Sequence, residues 1–180
     1  MRRPAVWAAF AAGGLVVGGG APSVAGSPSI VAVRAGGAVA AARPLPAGGS
    51  FALFYEHSAY RAPTVEVFAV AGHRFTMYAV ASLNEAVLDY YEVEGVRSRL
   101  LGWWVLRLRA PQTIDELSLI ATPVGLRTLV AGPECVPLYP RIGSYRLRIR
   151  VARSRPAGGT RPCPPGVPEL LGAVRAGPAF

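Results

Sequence analysis

Phe51 to Val70, FALFYEHSAYRAPTVEVFAV, consists of two apolar, strand-like runs around a short polar turn, and it restricts the fold more than any other stretch. Phe51, Leu53, Tyr55 and His57 alternate onto one face of the first run, and Glu66, Phe68 and Val70 onto one face of the second. Ala52, Phe54, Val65 and Val67 make the opposite faces apolar too. The pair is therefore predicted to be an inner hairpin, covered on both sides. An antiparallel register with Tyr55 opposite Phe68 puts His57 opposite Glu66, an imidazole beside a carboxylate at the turn end of an aromatic stripe.

His57, Ser58, Pro63 and Glu66 are the candidate site. As a binding site it would take an anion, a metal or a partner's side chain, with Glu66 orienting the imidazole and raising its pKa. As plain structure the same residues pin a turn, Ser58 capping an amide and Pro63 fixing the backbone. A metal needs further ligands, and the one other histidine is His73, so no metal site is assigned. Ser58 and His57 are strand neighbours whose side chains diverge, which speaks against a nucleophile and its base. No nucleophile elbow, metalloprotease motif or paired carboxylates occur, so neither an enzyme nor a cofactor is expected.

Elsewhere strand signals recur with turns every eight to twelve residues. Ser29–Arg34 and Ala38–Pro44 flank Gly36 and Gly37, and Arg74–Ser82 and Leu101–Ala110 read as further strands. Leu117–Thr122 and Leu126–Ala131 resemble a hairpin about Pro123, Val124 and Gly125. Ser144–Val151 alternates most cleanly, with Tyr145, Leu147, Ile149 and Val151 inward and Arg146, Arg148 and Arg150 outward. The period changes once. Ser82 and Glu85 have capping-box spacing, and the residues that follow suit a helix over Leu83–Tyr91. The fold class expected is mainly β, an antiparallel sandwich or open barrel with one short helix.

Arg2 and Arg3, a Gly- and Ala-rich apolar run and Ser23-Val24-Ala25 form a three-part export signal over residues 1–25, cleaved after Ala25. An uncleaved anchor is the alternative. The β domain spans 29–151, and 152–180 is a Pro-, Gly- and Arg-rich tail, read as irregular except for a short apolar patch over Glu169–Val174. Net charge is +9 with 19 basic residues, every one of them arginine. In an exported chain this fits surface chemistry better than nucleic-acid binding. Arg107 and Arg109 with Arg146, Arg148 and Arg150 could form one basic face for acidic partners or peripheral contact with anionic headgroups. Their plainer reading is a solvated strand face. Cys135 and Cys163 are an even pair suited to a disulfide in an oxidising compartment.

His57-Ser58, then Pro63 and Glu66 between two apolar strands, resembles the signature of the domain-of-unknown-function 1850 family. The likeness extends over Ile30–Val151, although SLNEAVLDYYEVEG stands where many members have a glycine-rich segment. It implies a small extracytoplasmic β protein without established activity, encoded beside tripartite ATP-independent periplasmic transporters for organic acids. The function expected is thus an exported, secreted or cell-envelope accessory of a solute transporter, with its permease or solute-binding protein as partner. A binding module for a small anion or metal is the alternative.

Overall fold

The computed structural model describes residues 27–46 and 49–177; the expected export signal and its expected cleavage point lie outside the described residues. Strands β1 (Ser27–Arg34), β2 (Val39–Pro44), β3 (Ser50–His57), β4 (Ala62–Ala71) and β5 (Arg74–Ser82) precede helix α1 (Ala86–Tyr90). Next come β6 (Gly95–Leu100), β7 (Trp103–Leu108), β8 (Thr113–Ile114) and β9 (Glu116–Ala121). The order closes with β10 (Thr128–Ala131), β11 (Glu134–Pro137), β12 (Tyr145–Ser154) and helix α2 (Val167–Ala176). Among the described residues these form a four-stranded sheet, β2-β1-β12-β9, and an eight-stranded one, β11-β10-β3-β4-β5-β7-β6 with β8 beside β5. All the pairings are antiparallel. The class is mainly β, a sandwich, as the alternation predicts.

The β3–β4 hairpin is covered on both sides. Phe51, Leu53 and Phe68, with Phe75 of β5, face the smaller sheet and meet its Ile30, Leu147 and Ile149. Phe51 stacks on its cross-strand partner Phe68 at 4.7 Å, and Phe75 stands edge-on to both rings. On the other side Ala52, Val65, Val67, Trp103 and Val105 lie under Val167, Leu170, Leu171 and Val174 of α2. The two faces build two cores, and the hairpin belongs to both.

The register differs from the one expected. Phe51, not Tyr55, pairs with Phe68; Leu53 pairs with Glu66, and His57 with Ala62. A four-residue turn closes the hairpin, Arg61 N–H donating to His57 O at 2.7 Å. The expected register leaves eight residues in the loop. Drawing the turn tight adds the pairs Phe54/Val65 through His57/Ala62 to the ladder, at the cost of a left-handed Arg61 (φ 48°). The slip is even-numbered, so His57 and Glu66 still share a face. They are no longer opposite; four strand positions part them, roughly 13 Å along the ladder.

Three other expectations change. Leu117–Thr122 and Leu126–Ala131 are not a hairpin: β9 pairs with β12 in one sheet, and β10 with β3 and β11 in the other. Both bury residues in the same inter-sheet core, Leu119 and Ala121 from one side and Leu129 from the other. The connection between them therefore crosses the end of the sandwich. The capping box is not formed either. The Ser82 hydroxyl donates to Pro63 O at 3.0 Å and accepts from Asn84 N–H, while Asn84 Oδ1 accepts from Ala86 N–H at 3.1 Å. Glu85 instead approaches Arg97 of β6 at 3.6 Å. Strands β6 and β11 lie where no strand was expected.

The segment after Val151 is tied to the body. Ala157 bridges Ala42, Arg161 bridges Cys135, and the Glu169–Val174 patch falls within the ten-residue helix α2. Arg43, 4% exposed, donates to Ala42 O, Ala157 O and Gly158 O at 2.6–2.7 Å and pairs with Glu134. Gly158 fits here because a Cβ would lie 2.8 Å from Ala40 O, at a φ of 84°. Cys135 and Cys163 form a disulfide. That bond fits an oxidising, extracytoplasmic environment. No helix among the described residues is long and apolar enough to cross a membrane.

Candidate binding pocket

Toward the turn, the face that carries Phe51 and Leu53 turns polar. Tyr55, His57 and Glu66 replace phenyl rings there. A pocket of about 550 Å³ results, walled by the hairpin end, by Tyr90 and Tyr91 at the end of α1, by Ile120 of β9, and by Thr122, Gly125 and Arg127 of the β9–β10 crossing. Its size is within the roughly 300–1,000 Å³ usual for small-molecule sites.

Glu66 is one of the charged groups that line this pocket. It rises from β4 between apolar neighbours, half-buried, and opens on the pocket. The Tyr91 hydroxyl donates to Glu66 Oε1 at 2.6 Å, and the Tyr55 hydroxyl contacts that of Tyr91. A phenol has one proton to give, and Tyr91 spends its own on Glu66. Tyr55 therefore donates to Tyr91, and the three groups form a chain whose hydrogen bonds polarise one another. Burial pushes the Glu66 carboxyl above the usual range, opposed by the Tyr91 hydrogen bond and by the nearby Arg127 guanidinium. Both phenols are held up by burial and then by the Glu66 charge, so both stay protonated.

Arg127 lies with its guanidinium 4.4 Å from the centre of the Tyr55 ring, a cation–π contact. Among the described residues no carboxylate comes within the 4.0 Å of an ion pair with it. Tyr55 thus stands between the two charges, its ring under the cation and its hydroxyl in the chain that ends on the anion. His57, 5% exposed, lies edge-on to Tyr90 at 4.8 Å and 5.3 Å from Tyr60. Its Nδ1 is buried without a hydrogen-bond partner. Burial and then Arg127 push its pKa down, opposite to the rise expected from Glu66. The ring is neutral at pH 7.

Of the four residues read from the sequence, His57, Ser58 and Glu66 line this pocket. Ser58 is an exposed turn residue at its rim, and Pro63 lies outside, its carbonyl accepting from Ser82 Oγ and Leu83 N–H. Tyr55, Tyr91 and Arg127 were not in the candidate set. The signal for Tyr91 was its place at the end of the predicted helix. Arg127 was hidden by the mistaken hairpin, which made it one turn-proximal charge among many.

The expected basic face is divided. Arg146, Arg148 and Arg150 are exposed on the outside of the smaller sheet, since Leu147 and Ile149 fill the inter-sheet core. Arg107 lies on the opposite outer face, under α2, donating to Val174 O at 2.7 Å. Arg109 follows β7, its N–H donating to Glu94 O at 3.1 Å. No surface unites the five. Trp103 is buried beneath α2, whereas Trp104 is half-buried under the Arg99 guanidinium. Among the described residues no three His, Cys, Asp or Glu side chains gather where they could hold a metal ion.

Fold and site together define a disulfide-bonded β sandwich with a tyrosine-lined polar pocket at one end. No protein-family model, curated protein or solved structure matches the chain.

Proposed function

We propose that this is an exported, non-catalytic binding protein that takes a small organic acid in the Arg127/Glu66 pocket, as an accessory to a solute transporter. The observation that carries the binding half is Arg127: a half-buried guanidinium facing a ligand-sized pocket with no carboxylate partner. A ligand carboxylate supplies what the protein leaves out, and bidentate pairing with arginine favours that group over other anions of similar size. The unpartnered Nδ1 of His57 supports the same view, because a buried polar atom without a partner costs about 1–3 kcal/mol that a ligand hydrogen bond would recover.

The reading without catalysis is supported by the geometry of Ser58, the nucleophile weighed from the sequence. Ser58 is exposed on the turn while His57 is buried, and nothing orients the imidazole as a base. Export with cleavage after Ala25 is supported by the leader and by the disulfide, and an intact mass beginning at Gly26 is expected. The transporter connection is supported by the resemblance of the His57-Ser58, Pro63 and Glu66 pattern to its family.

Isothermal calorimetry of the exported chain with small mono- and dicarboxylic acids tests binding. A saturable heat is expected, weakened at least about tenfold in Arg127→Gln, the usual cost of losing a charged hydrogen bond. Absence of heat with every acid would overturn it. For the partner, crosslinking should recover a permease or solute-binding protein, lost in His57→Ala while near-ultraviolet dichroism is unchanged. Recovery of neither protein under crosslinking counts against an accessory role.

A further inference from the structure

We propose that the acid bound here is a zwitterion, an α-amino acid or a close analogue, with its carboxylate on Arg127 and its ammonium on Glu66. This rests on the pocket being a binding site and goes further, to the ligand's second charge. Arg127 and Glu66 carry opposite charges and open on one pocket, yet they do not pair with each other. Tyr55 holds them apart through contacts at both ends of its side chain. An ionised carboxylate has about four acceptor positions. Tyr91 occupies one of them on Oε1. The Tyr55 hydroxyl also acts on this carboxylate, which lines the pocket, and no basic side chain among the described residues forms an ion pair with it.

Each simpler ligand leaves one of these groups wrong. A plain monocarboxylate satisfies Arg127 and strands Glu66 without a cation. A dicarboxylate sets a second anion toward Glu66. An amine satisfies Glu66 and strands Arg127. A zwitterion completes both and brings no net charge into a partly buried site, so discrimination arises from the charge each competitor would leave unpaired. The aromatic edges of Tyr90 and the exposed Ile120 at the opening leave room for an apolar side chain.

The sign of the pH response separates these ligands. An ammonium binds the ionised form of Glu66, so zwitterion affinity rises as the pH climbs through the Glu66 titration and then levels off. A plain carboxylate prefers protonated Glu66 and weakens over the same range. The other groups facing the site are Arg127, always charged, and Tyr55 and Tyr91, held protonated. His57 gains charge only at lower pH, where it opposes an ammonium. Glu56 at the wall is occupied by Arg61 at 2.5 Å.

The test is calorimetry on the intact exported chain with natural α-amino acids, each beside its des-amino acid and its decarboxylated amine, from pH 4 to 8. At least one amino acid is expected to bind about 100-fold more tightly than both of its counterparts at pH 7, the discrimination expected when a buried polar group is left without its partner. Glu66→Gln should erase most of the gap to the des-amino acid, and the amino acid's affinity should rise with pH. If des-amino acids bind as tightly as amino acids, and Arg127→Gln abolishes both, the zwitterion is overturned while the pocket stands as an acid site. If no member of any set binds the wild-type chain, both fail together.

Discussion

Phe68 and Glu66 sit two residues apart on one face of one strand, yet one closes a core and the other opens a pocket. Around Phe68 the sheet face is phenyl on phenyl, with the smaller sheet packed across it. Around Glu66 the rings carry hydroxyls, a carboxylate replaces an aliphatic side chain, and the β9–β10 chain arches over the end of the sandwich. The backbone ladder is continuous through both halves. The contrast teaches that the hairpin supplies one rigid platform, and side-chain chemistry decides where that platform is filled by protein and where it is left open as a pocket.

The largest effect separating the halves is expected from Phe68→Ala. Removing a fully buried ring from the three-phenylalanine cluster should cost about 3–5 kcal/mol in denaturant unfolding. A loss of under 1 kcal/mol would mean that the core half is not the stabilising one. Next is the paired substitution Cys135→Ala with Cys163→Ala, which frees a connection of 28 residues and should cost about 3 kcal/mol. Ligand affinity should be unaffected, because neither cysteine lines the pocket.

The smallest effect falls in the pocket half and is read as a slope. Glu66 has a folded-state pKa above its ordinary 4.5, so the folded chain holds that proton more tightly than the unfolded chain does. Its contribution to stability is fully present below pH 4.5, is lost as the pH rises through the folded value, and stays lost beyond. Glu66→Gln should therefore stabilise the protein more at pH 7 than at pH 4 in paired melting curves. The reverse order would show that Glu66 is stabilised as an anion by its surroundings.

The platform was legible in sequence because period-two alternation specifies faces directly. Phe51, Leu53, Phe68, Leu147 and Ile149 all lie on the faces their spacing implies. Parity survived even where register did not: a slip of four positions moved His57 away from Glu66 without moving either to the other face. The register itself was hidden because it is set by the turn, and the left-handed Arg61 that tightens this one has no glycine to mark it. The pocket was half legible. His57 and Glu66 stand out as polar interruptions of apolar strands, whereas Arg127 and Tyr91 come to line one pocket only after β9 and β10 separate into two sheets. That separation is a long-range consequence of burying Leu119 and Leu129 in a common core, and no local pattern contains it. The docking of α2 was foreshadowed only by the apolar patch it contains.

The chain has two histidines, which permits one direct measurement. In a proton NMR titration of the protein, the His57 ring signal should titrate below the ordinary 6.5, because burial and Arg127 disfavour its charge. Adding a saturating α-amino acid should shift that signal while His73, an exposed residue beside Asp115 on another turn, holds still. A His57 midpoint at or above 6.5, with neither signal moving on addition of amino or organic acids, would contradict a buried polar pocket that completes itself with a ligand.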